Sequence, residues 1–289
     1  MYFALILIKF NKMASKFRKV KKLIKFKVKL IILKIINLIL NNFQFYLLPD
    51  FSKNFLKDLT YSNEANEYYF SKPTDKINIM KIETSNYYTD LCKIGTQFGT
   101  DKSPFNKNGY RHPYTAIYDL LFSGFKDKKF NFAELGIFRN SSTKMFRYYF
   151  KKAKIYAFDY DNKLISNAKS HKLKNTFYAN MNVKYEKDIY NNFKKLKKKF
   201  KIIIEDTTHE FDDQIRVIEN CKDFLEPGGI LIIEDIYYKK NIEQKYIQAL
   251  KHNLKFFEKI LFVECNHINK YSRGWNNDKI MILKRKNLN

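Results

Sequence analysis

From about residue 130 onward, the chain alternates short apolar runs with amphipathic segments, and this alternation limits the folds that it can adopt. Each of the first five apolar runs of strand length is followed by a segment that is predicted to be helical, and two further strands end the fold. Such a pattern predicts parallel strands joined by helical crossovers. The predicted strands are Phe130–Leu135, Lys154–Asp159, Val183–Lys187, Lys201–Glu205, Ile230–Glu234, Lys259–Glu264 and Lys279–Lys284.

The segments between these strands predict the helices that cover the sheet. They are Ser141–Phe150, Leu164–Lys172, a lysine-rich helix around 190–199, Asp212–Leu225 and Ile242–Leu254. We expect the helix Asp212–Leu225 to end at the turn Glu226–Gly229, because proline and glycine stop helices. The sequence therefore predicts an α/β fold with a doubly wound, mostly parallel, seven-stranded sheet.

The first 90 residues lack this alternation and are predicted to form a separate extension. Basic residues at positions 18, 22, 25 and 29 recur at helical spacing among leucines and isoleucines, which is typical of a basic amphipathic helix. The apolar run within residues 30–40 is shorter than the about 20 residues that a membrane span needs. A helix within residues 15–48 that lies on an anionic membrane surface is one interpretation. A helix packed on the α/β domain, or a chain start at Met13, is the alternative.

Residues 49–90 have the composition of a polar connection, so we divide the chain into an extension, 1–90, and an α/β domain, 91–289. Three widely separated cysteines form no metal-finger spacing, and no secretory signal is recognised. These features are typical of a cytoplasmic protein, with peripheral contact to the inner membrane surface as an alternative.

The formal net charge of +26 suggests nucleic-acid binding. Arginine, which makes bidentate contacts to bases and phosphates, is however scarce among the basic residues. Lysine, asparagine, isoleucine, tyrosine and phenylalanine are abundant together, which indicates a coding bias spread over the surface. We therefore predict no specific nucleic-acid partner.

The turn after the first predicted strand has features of a nucleoside site. Gly136 follows that strand, and Ser141 or Ser142 can cap the next helix, whose N-terminus attracts a carboxylate. Asp159 ends the second strand, where an acidic residue can accept both hydroxyls of a ribose. Asn140 stands where a second glycine is expected, and asparagine tolerates positive φ. A turn that binds no ligand is the alternative.

Acidic residues and a histidine follow two later strands. Asp206 and His209 follow the fourth strand, and Glu234 and Asp235 end the fifth. Because adjacent parallel strands lie about 4.8 Å apart, these carboxylates would repel one another unless a cation such as Mg²⁺ lay among them. His209 could then deprotonate a hydroxyl held by that cation. Caps and turn residues without a metal are the alternative.

These residues resemble those of class I S-adenosylmethionine-dependent methyltransferases, a Rossmann-like family. Within that class, residues 91–285 resemble the metal-dependent sugar O-methyltransferases of the mycinamicin 2''-O-methyltransferase type. Upstream, Phe98–Lys102 and His112–Phe122 resemble the lead-in segment that borders the cofactor pocket in that group. The motifs that carry the resemblance are Glu134-Leu-Gly136, Ala157-Phe-Asp159, Asp206-Thr-Thr-His209, Pro227-Gly-Gly229 and Glu234-Asp235.

The resemblance implies a role for each residue. Glu134 and Gly136 would lie at the methionine end of S-adenosylmethionine, Asp159 at its ribose, and Asp188 near its adenine. Ser142 is a further candidate for cofactor binding. Asp206, Glu234 and Asp235 match ligands of Mg²⁺, and His209 matches the general base. The implied reaction methylates a hydroxyl of a sugar or glycan.

Two other functional interpretations stay open. One is a membrane-associated binding protein that keeps the fold without catalysis, and the other is an RNA methyltransferase, which the charge favours. The oligomeric state is also open, with a homo-oligomer as one alternative.

Overall fold

The computed structural model describes residues 77–107 and 109–287. The amphipathic helix predicted within residues 15–48 and most of the polar connection lie outside these ranges. Within them, no helix combines the length and the apolar character needed to cross a membrane.

Eight strands and seven α-helices alternate along the described residues. The strands are β1 (Ile77–Glu83), β2 (Asn131–Leu135), β3 (Lys154–Asp159), β4 (Thr176–Asn180), β5 (Phe200–Glu205), β6 (Leu225–Ile233), β7 (Phe257–Asn266) and β8 (Lys279–Arg285). The helices are α1 (Asp90–Phe98), α2 (Thr115–Phe122), α3 (Ser141–Tyr149), α4 (Asn162–Ser170), α5 (Glu186–Leu196), α6 (Phe211–Cys221) and α7 (Ile242–Ala249). Short 3₁₀ helices cover Ser123–Phe125, Lys222–Phe224 and Leu254–Phe256.

The strands form one sheet in the order β1-β7-β8-β6-β5-β2-β3-β4. Strand β8 is antiparallel to both its neighbours, and the other pairs are parallel. The chain runs outward from β2 through β3 to β4 and then returns to β5 on the other side of β2. Ligands of open α/β sheets bind at such a reversal. The predicted doubly wound, mostly parallel sheet is confirmed.

Alternate residues of the central strands pack on opposite helical layers. In β5, Ile203 belongs to an apolar cluster that includes residues of α5, α6 and α7. Ile202 and Ile204 belong to a second cluster, which includes residues of α1, α2 and α3. All three isoleucines are fully buried. Both faces of the strand are therefore apolar, which explains its uninterrupted apolar sequence.

The sheet has one more strand than the sequence predicted. Strand β1 pairs in parallel with β7 at the edge of the sheet. Its residues Ile77–Glu83 fall in the stretch that the sequence analysis assigned to the polar connection. Several of its side chains are exposed or half-buried, so its composition is more polar than that of the central strands.

The predicted strand Val183–Lys187 is wrong. Strand β4 lies earlier, at Thr176–Asn180, and Val183 is a buried residue of the turn that follows it. The backbone N–H of Asn182 donates to the Asp188 carboxylate at 2.7 Å. This bond closes the turn at the start of α5, so the segment cannot extend as a strand.

The turn expected to end a helix at Glu226–Gly229 lies instead inside β6. Helix α6 ends at Cys221, and the 3₁₀ turn Lys222–Phe224 leads directly into the strand. The pairing of β5 with β6 shifts register opposite this segment, and Gly228 has a φ of +63°. Glycine thus allows an irregularity in the strand here and does not stop the sheet.

The register of four parallel strands aligns their carboxyl ends. Leu135 of β2 pairs with Phe158 of β3 and with Glu205 of β5, and Glu205 pairs with Ile233 of β6. The residues that directly follow these four paired residues therefore lie side by side in one row across the sheet. In spatial order this strand-end row is Asp159, Gly136, Asp206 and Glu234.

Gly136 is the position of the row that tolerates a side chain least. Its φ is +87°, and an added Cβ would meet the carbonyl oxygen of Asp206 at 1.8 Å. We expect Gly136→Ala to lower the free energy of unfolding by at least about 2 kcal/mol, measured by urea denaturation. Gly124→Ala is the control, because an added Cβ there meets nothing within 4 Å. Equal effects of the two substitutions would contradict this account.

Candidate active site

Asp206, His209 and Asp235 bring ligating atoms together beyond the ends of β5 and β6. One such atom from each residue lies within 4.8 Å of the other two. Nδ1 of His209 is 3.9 Å from Oδ1 of Asp206 and 3.6 Å from Oδ2 of Asp235. This nitrogen is buried and has no hydrogen-bond partner among the described residues. Two carboxylate oxygens at one point fit a divalent cation, and the unpartnered nitrogen beside them can serve either as a further ligand or as a base.

The backbone at this point is unusual. His209 has a φ of 59° and Asp235 a φ of 56°. Residues other than glycine rarely adopt positive φ, although aspartate and histidine do so more often than most. Each such conformation costs about 1–3 kcal/mol, and these conformations cluster at active sites. Two of them at one point therefore favour a functional role for the cluster.

Lys102, which the sequence analysis did not assign to the site, balances the negative charge there. Its ammonium group contacts the Asp206 carboxylate and lies 2.5 Å from Oε2 of Glu234. The lysine side chain is only 2% exposed. Burial opposes its charge, but the two carboxylates outweigh burial and raise the pKa of Lys102 well above its usual value. The ammonium group of Lys102 is thus a permanent positive charge within the acidic cluster.

Two tyrosines, one at the N-terminus of α2 and one within it, donate hydrogen bonds to the second carboxylate oxygens of Asp235 and Glu234. The Tyr118 hydroxyl donates to Oε1 of Glu234 at 2.6 Å. The Tyr114 hydroxyl donates to Oδ1 of Asp235 at 2.5 Å. Both tyrosines are fully buried. These bonds replace part of the hydration that the carboxylates lose on burial.

His112 adds a second positive charge beside Asp235. Its Nδ1 is 2.9 Å from Oδ1 of Asp278 and 3.8 Å from Oδ1 of Asp235. Burial lowers the pKa of His112, but the two carboxylates raise it more, to about 9. His112, Tyr114 and Tyr118 all belong to the lead-in segment His112–Phe122. This segment therefore orients the strand-end carboxylates.

Glu234 lies beside the three-residue cluster but is engaged by other groups. Lys102 contacts one of its carboxylate oxygens, and Tyr118 donates to the other. The structure thus brings Asp206, His209 and Asp235 to one point and leaves Glu234 in the ion pair with Lys102. Its role as a metal ligand stays a prediction.

Glu134 is fully buried at the end of β2. Its Oε2 accepts a hydrogen bond from the Thr143 hydroxyl at 2.6 Å, while Oε1 has no partner within the described part of the chain. Burial raises the pKa of Glu134 to about 7, although the charge of Lys102 and the nearby hydroxyls of Ser142 and Thr143 oppose this shift. An unpaired, buried carboxylate oxygen fits the amino group of a cationic ligand.

Asp159 organises the loop that follows β2. Its Oδ2 accepts hydrogen bonds from the N–H groups of Ile137 and Phe138, each at 3.1 Å. Its Oδ1 accepts from the N–H of Asp161 at 3.0 Å. The carboxylate, predicted to hold a ribose, therefore also fixes the turn beside Gly136.

Asn140 stands in place of the expected glycine and adopts a positive φ of 66°, which asparagine was expected to tolerate. It also occupies the N-cap position of α3, so neither Ser141 nor Ser142 caps that helix. The Asn140 amide lies 3.0 Å from the Tyr178 hydroxyl on β4. Ser142 is buried in the first turn of α3, next to Glu134.

Asp188 lies in the first turn of α5, and its carboxylate contacts the turn that follows β4. Its carboxylate accepts hydrogen bonds from the N–H of Asn182 at 2.7 Å and from the Asn192 amide at 2.9 Å. These contacts stabilise the start of α5. The contact of Asp188 with adenine stays a prediction.

The fold and this site define a Rossmann-like methyltransferase, and comparison with known proteins agrees. Residues 140–286, about half of the chain, match a family described as a methyltransferase domain. The chain belongs to this family, which confirms the predicted class of S-adenosylmethionine-dependent methyltransferases. No curated protein matches the chain.

Solved structures show the same fold. The chain is similar to the MycE methyltransferase of the mycinamycin biosynthetic pathway in complex with Mg and SAH, with a TM-score of 0.52 and 16% identity over 70% of this chain and 56% of that one. For the MycE complex with Mg, SAH and mycinamycin VI, the TM-score is 0.51 and the identity is 17%. The match covers 69% of this chain and 55% of that one. The chain thus spans little more than half the length of MycE.

The ion pairs of Lys102 generate a prediction about stability. Lys102→Met would leave the buried Glu234 carboxylate and the partly buried Asp206 carboxylate without their cation. We therefore expect a loss of about 3 kcal/mol in the free energy of unfolding, measured by chemical denaturation. Lys151→Met is the control, because Lys151 pairs with Asp127 and the two side chains are 70% and 63% exposed. That change is expected to cost less than about 1 kcal/mol. The account fails if both variants lose equally little stability.

Proposed function

We propose that the protein is an S-adenosylmethionine-dependent O-methyltransferase that acts on a hydroxyl group of a sugar or glycan. In this proposal Asp206 and Asp235, with Glu234 beside them, bind Mg²⁺, and His209 is the general base. The observation that carries the proposal is the unpartnered Nδ1 of His209, which faces two carboxylates next to the strand-end row. The resemblance to sugar O-methyltransferases, and the Mg and SAH named for MycE, support it.

The residues of this chain would position both substrates. Glu134, Gly136, Ser142 and Asp159 lie around the turn after β2, where they would bind the methyl donor. The unpaired oxygen of Glu134 suits its amino group. Asp206 and His209 lie directly beyond β5, the next strand in the sheet. Much of the rate would come from this proximity, because the methyl group of S-adenosylmethionine is already activated.

His209 would accept the proton of the acceptor hydroxyl. The hydroxyl oxygen forms a bond to the methyl carbon while the carbon–sulfur bond breaks and its electron pair stays on sulfur. The proton moves to His209, and Asp206 and Asp235 stabilise the imidazolium cation. Mg²⁺, when bound, would lower the pKa of the hydroxyl group. An uncharged sugar hydroxyl needs such a base, because it is only weakly acidic.

The proposal also includes the cellular location and the oligomeric state of the protein. The cysteines of the described residues, Cys92, Cys221 and Cys265, are free and buried, which supports a reducing, cytoplasmic location. Contact of residues 15–48 with the inner membrane surface, and assembly into a homo-oligomer, also stay proposals. The domain boundary predicted near residue 90 falls after β1, which pairs with β7, so the α/β sheet includes residues before that boundary.

The experiment that tests the function measures methyl transfer from labelled S-adenosylmethionine to nucleotide sugars, oligosaccharides and total RNA. We expect transfer to a sugar, and we expect His209→Ala to reduce turnover at least about 100-fold. Binding of S-adenosylhomocysteine by calorimetry is expected to persist in that variant. His252→Ala, which changes an exposed histidine, is the control. Transfer to RNA alone, or near-normal turnover of His209→Ala, would show that the proposal is wrong.

The metal is tested on the same samples. EDTA is expected to stop the reaction and Mg²⁺ to restore it. Mn²⁺ binding, followed by electron paramagnetic resonance, is expected to weaken in Asp206→Asn and to persist in His209→Ala. Loss of Mn²⁺ binding in His209→Ala would instead identify this residue as a ligand, and a reaction indifferent to EDTA would exclude the metal.

The raised pKa of Glu134 predicts a pH dependence of ligand binding. Because this pKa is about 7, Glu134 is mostly protonated at pH 6 and must ionise to pair with the ligand's amino group. Affinity for S-adenosylhomocysteine should therefore fall as the pH drops below 7, approaching about tenfold per pH unit. Calorimetry in buffers of different ionisation enthalpy should detect the released proton. Glu134→Gln should abolish this release, and a wild-type affinity independent of pH would rule out the ion pair.

A further inference from the structure

Four aromatic side chains cluster beside His209. The centroid of the Trp275 ring lies 6.2 Å from that of Tyr110, 6.2 Å from that of Tyr237 and 6.0 Å from that of His209. Tyr271 extends the group, with its ring centroid 6.4 Å from that of Tyr110. We call Tyr110, Tyr237, Tyr271 and Trp275 the aromatic platform.

The aromatic platform is accessible to solvent. Trp275 is 44% exposed, Tyr110 42% and Tyr271 47%. Single exposed aromatic residues are common on protein surfaces, and this chain has others, such as Tyr148, which contacts Phe98. A contiguous exposed group is different, because such patches mark binding sites. This one adjoins the proposed base.

Backbone hydrogen bonds hold the loops that carry the platform. Arg111 and Tyr271 exchange two of them, of 2.8 and 2.9 Å. The N–H of Tyr238 donates to the carbonyl of Asn276 at 2.8 Å. The loop between β7 and β8 is therefore tied to the segment before α2 and to the segment after β6. A surface held in this way loses little entropy when it binds a ligand.

We propose that the aromatic platform binds the ring face of the sugar that carries the acceptor hydroxyl, an inference that rests on the proposed function. A sugar ring has an apolar C–H face and a polar rim. Aromatic rings can cover the face, while the tyrosine hydroxyls and the guanidinium of Arg111, which lies 5.3 Å from the centroid of the Tyr271 ring, can bind the rim. The sugar would thus be held beside His209.

The ring spacing rules out a base inserted between two rings of the platform. A base inserted between two rings needs about 7 Å between them, twice the ordinary contact distance. The centroids of Trp275 and its neighbours are only 6.0 to 6.2 Å apart. The platform therefore offers an outer face for stacking and no slot between its rings.

Trp275 supplies a direct test, because it is the only tryptophan in the 289-residue chain. Its fluorescence would be recorded in the full chain with S-adenosylhomocysteine bound, at physiological salt. The probes are the methyl α-glycosides of glucose, galactose, mannose and rhamnose, with hexauridylate and catechol for comparison. We expect at least one glycoside to change the emission saturably. No response to any glycoside, or a response only to hexauridylate or catechol, overturns the proposal.

Two variants keep the tryptophan as reporter. Tyr110→Ala removes one ring of the platform and should weaken the apparent Kd of the glycoside about tenfold. Tyr148→Ala removes an exposed tyrosine outside the platform and should leave that Kd unchanged. An unaltered Kd in Tyr110→Ala overturns the platform as a sugar site.

Kinetics with the sugar that accepts the methyl group distinguish a failure of this proposal from a failure of the proposed function. Trp275→Ala should raise KM for the sugar about tenfold or more, while the affinity for S-adenosylhomocysteine stays the same. Sugar methylation with an unchanged KM in Trp275→Ala would overturn the platform and leave the function intact. A wild-type protein that fails to bind S-adenosylhomocysteine would instead overturn the proposed function.

Discussion

The register of β3, β2, β5 and β6 is the constraint on which the rest of the structure depends. Because Leu135, Glu205 and Ile233 are paired across three of these strands, the residues that follow them meet at one edge of the sheet. A shift of one residue would exchange the faces of every side chain in a strand and move the acidic ends apart. The apolar burial of both sheet faces therefore also determines where the polar site forms.

The crowding of acidic groups at that edge creates an electrostatic problem, and the segment before β2 solves it. Buried carboxylates are costly unless they are paired. Lys102 supplies a positive charge to Asp206 and Glu234, and Tyr114 and Tyr118 donate hydrogen bonds. These contacts leave Asp206, Asp235 and His209 facing one another, which is the arrangement on which the proposed cation site depends.

Much of the fold and part of the site could be predicted from the sequence. The uninterrupted apolar run of β5 and the acidic residues after β5 and β6 are local features, and they located Asp206, His209 and Asp235 correctly relative to the sheet. The edge strand β1 and the position of β4 were missed, because edge strands are partly polar and carry a weaker pattern. The segment Phe98–Lys102 was expected to border the cofactor pocket, but the pairing of Lys102 with the carboxylates was missed. The chain is rich in lysine, and the local sequence does not distinguish a buried lysine from a solvated one.

The sequence by itself determined the fold class, the positions of most central strands along the chain and the residue types at the strand ends, because periodicity and turn residues act over short distances. Only the tertiary structure decided which groups pair. It assigned Lys102 and Tyr118 to Glu234, tied Asp159 to the loop beside Gly136, and brought Trp275 next to His209. These contacts join residues far apart in the chain, so they depend on strand register and loop packing, which no local pattern encodes.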